Sequence, residues 1–277
     1  MVATACPLRS PIPGISDREF AHFQRFIFDA AGIALSNSKK QLVSSRLGAR
    51  VQHYELASYA EYFRLLSSGL QPEEVQKAID LLTTNETYFF REPRHFEFLQ
   101  KQLLSRPARQ QPLRIWSAAG STGEEAYSIA MVLEDQLAGR PWEVIASDIS
   151  SRVLERARAG HYSMERARYI PPPYLQRFCL KGTGPQEQTL LVNRSLRNKV
   201  SFQQINLNVR LPAIGLFEFV FLRNVLIYFN QQTKCDVVAR ALSMLEPGGW
   251  LFIGHSENLH GISAAVQAVA PSIYRKL

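Results

Sequence analysis

The sequence predicts an α/β fold: a doubly wound, mostly parallel sheet with helices on both faces, preceded by helices and carrying a small antiparallel insertion. Three observations lead there. Apolar residues recur at helical spacing through the first ~90 residues. From about Leu113 short apolar strands alternate with amphipathic helices, the succession that builds a parallel sheet. Between Gly160 and Val200 that succession is interrupted by Pro171-Pro-Pro, Gly182-Thr-Gly-Pro185 and short runs such as Thr189-Leu-Leu-Val192. The expected division is an all-helical domain and linker over 1–90 and a sheet domain over 91–277, with the β-insertion at about 160–200.

Each element has its own signal. Ser16-Asp-Arg-Glu19 and Ser58-Tyr-Ala-Glu61 match the capping-box pattern, and each precedes aromatic and aliphatic residues at helical spacing. Val43, Leu47, Val51 and Tyr54 form one stripe of a helix over 38–53. Pro72-Glu-Glu starts another helix, with proline suited to a first turn. Strands are expected at Leu113-Arg-Ile-Trp-Ser, Trp142-Glu-Val-Ile-Ala-Ser, Phe217-Glu-Phe-Val-Phe-Leu and Trp250-Leu-Phe-Ile-Gly. Helices are expected over 124–137, 152–159 and 231–245.

Composition narrows the class. Hydrophobic residues make up 46% and charged residues 20% of 277, enough to bury a substantial core. No apolar run at 1–14 is long enough for a signal peptide, and the most apolar stretch, 214–229, carries Glu218 and Arg223. Cys6, Cys179 and Cys235 lack metal-site spacing and suit free thiols in a reducing cytoplasm. A cytoplasmic protein with no membrane insertion is expected.

The formal net charge of +8 is unevenly placed. From Arg152 to Arg210 eleven Lys or Arg face three acids. On the 38–53 helix, Lys39, Arg46, Arg50 and His53 fall within about 60° of one another. Such a ridge suits an anionic partner, whether nucleic acid, acidic lipid or acidic protein helices, and equally suits a face that keeps the protein soluble.

The first strand runs into Ala118-Ala-Gly-Ser-Thr-Gly123, with a helix opening at Glu124-Glu125. Small residues at this turn let backbone approach a ligand at the carboxyl edge of a parallel sheet. The second strand ends in Ser147-Asp148, and an acid there is placed to accept hydrogen bonds from ribose hydroxyls. Asp148 could instead cap the next helix. The turn departs from G-x-G-x-x-G, and two acids at the helix start suit a pyrophosphate poorly. A phosphate-free, partly cationic nucleoside such as S-adenosylmethionine fits better than NAD.

Five segments together resemble one family. They are Thr83-Thr-Asn-Glu-Thr-Tyr-Phe-Phe-Arg-Glu-Pro93, Trp116-Ser-Ala-Ala-Gly-Ser-Thr-Gly-Glu-Glu-Ala-Tyr-Ser128, Ala146-Ser-Asp-Ile149, Phe221-Leu-Arg-Asn-Val-Leu-Ile-Tyr-Phe229 and Leu245-Glu-Pro-Gly-Gly-Trp-Leu-Phe-Ile-Gly-His-Ser-Glu257. In order and spacing they resemble the CheR-type chemotaxis receptor (protein-glutamate) O-methyltransferases. The resemblance implies a class I S-adenosylmethionine-dependent methyltransferase sheet behind an N-terminal helical domain. It also implies methyl transfer to glutamates on the cytoplasmic signalling helices of chemoreceptors.

By motif position, the resemblance implies that Asn85, Thr87 and Arg91 contact the cofactor or line the transfer pocket. Glu124 and Asp148 would bind the cofactor's polar parts, with either Glu124 or Glu125 making the first contact. Asn206, Leu207, Arg223 and Asn224 would complete the pocket, and Tyr228 would face the reacting methyl. Arg91 and Tyr228 are the catalytic candidates; Lys39, Arg46 and Arg50 are the candidates for binding the acidic substrate. Simpler roles exist for some of them: Asn85 as a turn residue, Arg91 in a surface ion pair, Tyr228 as a core aromatic.

A glutamate carboxylate is ionised at pH 7, so transfer needs alignment and exclusion of water more than a general base. The sequence offers no Ser/His/Asp or Cys/His constellation, no metal is expected, and His255 and His260 stand isolated. A monomer acting on protein rather than nucleic acid is expected. Two rivals share the fold: an RNA methyltransferase, suggested by a pI of about 9.5 and by Pro171-Pro-Pro-Tyr174, and a non-catalytic S-adenosylmethionine-binding module. That Pro-Pro-Tyr run follows the wrong strand for an amine-methylating motif and is expected to be a stiff connector.

Overall fold

The computed structural model describes residues 14–105, 111–137 and 139–277. The N-terminal stretch tested for a signal peptide, apart from Gly14, lies outside the described residues, as does Cys6. Cys179 and Cys235 are free thiols. Among the described residues, no helix is long and apolar enough to cross a membrane.

The chain divides into two compact units, one over 1–30 and 34–82, the other over 31–33 and 83–277. Residues 83–90, grouped with the helices in the sequence, therefore pack with the second unit.

The first unit contains helices α1 (Asp17–Ala31), α2 (Lys40–His53), α3 (Tyr59–Ser67) and α4 (Pro72–Leu82). The first capping box is complete and the second is half made. Ser16 Oγ accepts from Glu19 N–H at 3.3 Å while Glu19 Oε2 takes the Ser16 N–H at 2.8 Å. Ser58 Oγ accepts from Glu61 N–H, but the Glu61 carboxylate reaches back to Ala57 N–H instead of Ser58. Val43, Leu47 and Val51 are fully buried, as are Phe23, Ile27 and Tyr62. A short 3₁₀ turn over Asn37–Lys39 precedes α2, so Lys39 stands at its N-cap rather than inside it.

The second unit opens with α5 (Pro93–Leu104), then β1 (Leu113–Ser117), α6 (Glu124–Gln136), β2 (Trp142–Asp148) and α7 (Ser151–Ala159). The insertion follows as β3 (His161–Ser163), α8 (Pro172–Phe178), β4 (Cys179–Lys181), β5 (Thr189–Val192) and α9 (Arg194–Arg197). Then come β6 (Val200–Gln204), β7 (Phe217–Leu222), α10 (Gln231–Ser243), β8 (Leu245–Ile253), β9 (Val266–Ala270) and β10 (Ile273–Lys276). The main sheet has the order β6-β2-β1-β7-β8-β10-β9, parallel from β6 to β8 and antiparallel at β10 and β9. β3, β5 and β4 form a separate antiparallel sheet.

Two aromatic-rich cores cover the two faces of the sheet. Tyr127, Phe219, Phe221 and Phe252 belong to one, Trp116, Phe217, Val220 and Leu251 to the other. From Phe219 to Leu222 successive residues of β7 alternate between cores, as period-two side chains must, and Phe217 departs from that alternation where the pairing with β8 shifts register.

Two expectations are corrected. The run Pro171-Pro-Pro-Tyr174 is not a connector, because Pro172 and Pro173 occupy the first turn of α8, where a missing N–H costs nothing. The Tyr174 hydroxyl is bonded to Asp135 at 3.0 Å. The helix expected over 231–245 stops at Ser243, and Leu245 already pairs with Phe217 in the sheet. Pro247-Gly248-Gly249 is then looped out of β8, so that Phe219 next meets Trp250. Glycine is required there: a Cβ on Gly249 would lie 2.9 Å from the Glu246 carbonyl oxygen and 3.0 Å from that of Glu218.

Candidate active site

Going outward from β1, connections lead to β2 on one side and to β7 on the other. The chain reverses between β1 and β7, where an open parallel sheet leaves a crevice at its carboxyl edge. A cavity of about 990 Å³, counted to its open mouth, occupies this edge. Each strand contributes its C-terminal extension: Ala118, Ala119 and Ser121 after β1, and Asp148 and Ile149 at the end of β2. Asn206 and Leu207 follow β6, and Arg223, Asn224 and Tyr228 follow β7. The segment 83–91 closes one side with Asn85, Thr87 and Arg91.

The turn after β1 is held by backbone contacts. Asp148 Oδ2 accepts the Ser121 N–H at 3.0 Å and Oδ1 accepts the Ser150 N–H at 2.9 Å. Asp148 thus braces two loops, while the N-cap of α7 is Ser150. Gly123 at φ +94° does not line the cavity; a Cβ there would lie 2.9 Å from Ala157 Cβ and from the Tyr162 hydroxyl. The glycine serves packing of the turn on α7 and the insertion, and the cavity wall is made by alanine and serine.

Glu124 and Glu125 differ sharply. Glu124 is fully buried and faces away, bonded to Thr122 Oγ1 at 2.6 Å and paired with Arg166. It does not line the cavity, so the position is corrected to Glu125, which does. Burial raises the Glu125 carboxyl above its ordinary range, against the opposing pull of Arg223 and Ser117.

Arg223 is buried, and its guanidinium is spent on protein atoms: Glu125 Oε2 at 2.8 Å, Glu92 Oε2 at 3.0 Å and the Arg91 carbonyl. It therefore sets the positions of Glu125 and the Arg91 backbone while lining the cavity. The Arg91 side chain donates to the Glu86 carbonyl at 2.9 Å and lies over the Tyr88 ring at 5.8 Å. Its neighbours Phe90 and Glu92 both hold positive φ, 55° and 59°, as do Ser121 and Asn224 around the same cavity. Left-handed non-glycine residues cost on the order of 1–3 kcal/mol each, and their gathering here marks a site where geometry outranks comfort.

Sequence spacing gives no sign of Glu257. This buried carboxylate accepts the N–H groups of Asn224 (3.0 Å), Ile227 (3.1 Å) and Gly254 (2.6 Å), and so fixes the loop carrying Asn224 and Tyr228. Asn206 turns its loop by accepting the Asn208 N–H, and Asn85 is tied through its carbonyl to Ser121 Oγ.

The ridge candidates lie in the first unit. Lys39 is exposed and Arg46 half-buried, donating to the Leu82 carbonyl. Arg50 is not a surface charge. It makes two bonds, 2.7 and 2.6 Å, to the buried Glu74 carboxylate, so the expected trio of outward cations loses one member. His255 is not isolated either: its ring meets His95 edge to face at 5.1 Å, with Glu92 beside both.

The cavity fits S-adenosylmethionine on chemical grounds. An acid at the end of β2 suits vicinal hydroxyls, and Glu125 suits an ammonium. Known proteins agree in kind. The family model described as CheR methyltransferase, SAM binding domain matches residues 85–274, and that described as CheR methyltransferase, all-alpha domain matches 18–83. The chain is 40% identical over 263 residues to a chemotaxis protein methyltransferase of Escherichia coli K12, covering 94% of this chain and 91% of that one. It is 41% identical over 278 residues to chemotaxis protein methyltransferase 2 of Pseudomonas aeruginosa PAO1, covering 97% and 99%. With both domains matched in order and relatives aligned nearly end to end, the chain belongs to the CheR methyltransferase family.

Proposed function

We propose that this protein methylates glutamate side chains on the cytoplasmic signalling helices of chemoreceptors, yielding glutamate methyl esters and S-adenosylhomocysteine, and so serves adaptation in chemotaxis. The observation that carries this reading is a cavity at the sheet's carboxyl edge that gathers Asp148, Glu125, Arg91 and Tyr228, in a chain of this family. When bound, S-adenosylmethionine supplies an electrophilic methyl, which the glutamate oxygen takes as the carbon–sulfur bonding pair returns to sulfur.

The protein's own residues do the rest. Asp148 holds the ribose edge, and Glu125 receives the cofactor's ammonium. Asn85, Thr87, Asn206, Leu207 and Asn224 enclose the nucleoside. Arg91 orients one carboxylate oxygen of the substrate while leaving the other to attack; two tight bonds to the nucleophile would blunt it. Tyr228 borders the in-line path and keeps water out. The enzyme acts as a monomer in the cytoplasm and finds its acidic helices through Lys39 and Arg46.

The RNA alternative draws no support from its motif, since Pro171-Pro-Pro-Tyr174 is not among the residues that line the cavity. The test is transfer of radiolabelled methyl to receptor signalling domains against total RNA. Label on the receptor that base releases as methanol is the expected result. Label in RNA, or base-stable label on protein, overturns the proposal.

A further inference from the structure

Beside the cavity, Glu92, His95 and His255 come together and take no direct part in the transfer just described. His95 Nδ1 lies 3.4 Å from Glu92 Oε2, and His255 Nε2 lies 3.9 Å from the same oxygen. One ligand atom from each of the three falls within 4.8 Å of the others, the one such grouping among the described residues. His95 is completely buried, yet neither of its ring nitrogens has a hydrogen-bond partner. A buried imidazole normally satisfies both nitrogens, and leaving a polar group unmade costs about 1–3 kcal/mol. The Nδ1-to-carboxylate gap does not make a hydrogen bond. It does match one edge of a ligand tetrahedron, about 3.4 Å when donors sit ~2.0–2.1 Å from a central zinc ion, while the exposed His255 ring, 3.9 Å from the same oxygen, has to swing inward to complete the set.

We propose that Glu92, His95 and His255 form a site for one divalent transition-metal ion of the zinc class, with water in the remaining position. Two imidazoles and one carboxylate suit zinc, cobalt or nickel, whereas magnesium and calcium prefer all-oxygen sets. Arg223 stands close, but Glu92 and Glu125 outnumber it, so the cluster carries a formal charge of −1 with neutral imidazoles. A carboxylate can hold a guanidinium and a metal together, the usual outer-shell arrangement of a metal ligand. The His255 side chain is 47% exposed, which gives the ion a path in and water a place to bind.

The site is wired to the cavity. Glu92 Oε1 accepts from Asn224 Nδ2 at 3.2 Å and from the His255 N–H at 3.1 Å, while Oε2 accepts from Arg223. A metal on Oε2 draws that oxygen away from Arg223, the residue that positions Glu125 and the Arg91 carbonyl. Occupancy therefore loosens the cavity wall and lowers turnover, making the site inhibitory.

The test is titration of the full chain with Co²⁺, read by its visible absorption, and with Zn²⁺ by calorimetry. One equivalent should bind to the wild type without competition from Mg²⁺ or Ca²⁺. His255→Ala removes an exposed ligand and leaves its backbone bond to Glu92, so it should fold normally and keep basal activity. Affinity for that equivalent should nevertheless fall by ~10- to 100-fold or more. No stoichiometric binding, or binding that survives His255→Ala, overturns the site and leaves the His95 nitrogens to water. The titration needs no methyl acceptor, so only the inhibition rests on the proposed function. Zn²⁺ should inhibit wild-type methylation and spare His255→Ala; equal inhibition of both overturns the coupling.

Discussion

Each unit buries a carboxylate against an arginine, and the two carboxylates end in opposite states. In the helical unit Glu74 is 1% exposed and takes two bonds from Arg50, one from the Tyr62 hydroxyl at 2.7 Å and one from Tyr54 at 3.1 Å. Burial pushes its carboxyl up, but those donors outweigh burial and hold it below the ordinary value of 4.5. In the methyltransferase unit Glu125 has one arm of Arg223 and the Ser117 hydroxyl, and burial wins, raising it. A fully satisfied charge is structure. One left partly satisfied at the wall of a cavity can accept a further donor from a ligand, which is why raised acids gather at sites.

Breaking the satisfied pair should give the largest effect. Arg50→Met leaves Glu74 buried without its cation, a change that costs about 3–5 kcal/mol in comparable pairs. Denaturant unfolding should show that loss while affinity for S-adenosylhomocysteine stays within twofold. A loss under 1 kcal/mol would mean that the tyrosines alone satisfy Glu74, and the contrast with Glu125 would fade.

At the cavity, Asp148→Ala removes a charged acceptor from the proposed ribose contact. Such bonds are worth roughly 1.5–3 kcal/mol, so S-adenosylhomocysteine affinity should fall on the order of 10- to 100-fold by calorimetry. Because Asp148 also braces Ser121 and Ser150, Asp148→Asn is the sharper control. It keeps one acceptor oxygen and should fall in between. Unchanged affinity in both variants would reduce Asp148 to a loop brace.

Acid separates the two regions by sign. Glu74, with a depressed folded value, stabilises fully above 4.5, and that contribution is lost as pH falls through its folded value. Glu125, Glu124 and Glu257 are raised, so their contribution is present below 4.5 and lost as pH rises through their folded values. Stability owed to Glu74 should therefore survive down to pH 4.5 and fail below it. Cofactor affinity should decline earlier, above pH 4.5, as Glu125 takes a proton. Parallel decline of unfolding free energy and affinity on one titration curve would erase the distinction.

Local pattern made much of this legible. The stripe Val43, Leu47, Val51 and the acid ending β2 follow from periodicity and strand order, and both occur where those rules put them. What stayed hidden depends on distant pairings. Glu124 and Glu125 are ~100° apart on one helix, and only the docking of α6 beside Ser117 and Arg223 decides which faces the cavity. Arg50 reads as surface until Glu74, 24 residues on, is seen to bind it. His255 lies far along the chain from Glu92 and His95, so no spacing rule joins them. The edge hairpin β9–β10 went unsignalled because Val266–Ala270 is short and nowhere fully buried, leaving little alternation to read.

A smaller effect is expected at the reacting centre, from groups that shape the path without carrying a proton. Arg91→Ala and Tyr228→Phe should each lower turnover by roughly tenfold or less while product affinity changes little, the signature of an interaction stronger in the transition state. If S-adenosylhomocysteine affinity falls as much as turnover, both side chains belong to cofactor binding, and the placement of the transfer path moves toward Asn85 and Thr87.

The smallest effect concerns the exposed counterpart of Arg50. Lys39 sits at the N-cap of α2, exposed, and makes no capping bond through its side chain, so reversing its charge should leave the fold intact. An exposed pair contributes about 0–1 kcal/mol, which corresponds to at most ~5-fold in an equilibrium. Lys39→Glu should therefore weaken methylation of an acidic receptor helix by roughly 2- to 5-fold at 50 mM salt, through the acceptor's KM, with kcat and cofactor affinity unchanged. Screening should erase the difference, because the Debye length contracts from about 14 Å at 50 mM to about 4 Å at 500 mM. Equal rates for wild type and variant at low salt would show that α2 keeps its cations for solubility alone. Substrate docking would then fall to the basic insertion, where Arg194 and Arg197 sit in α9.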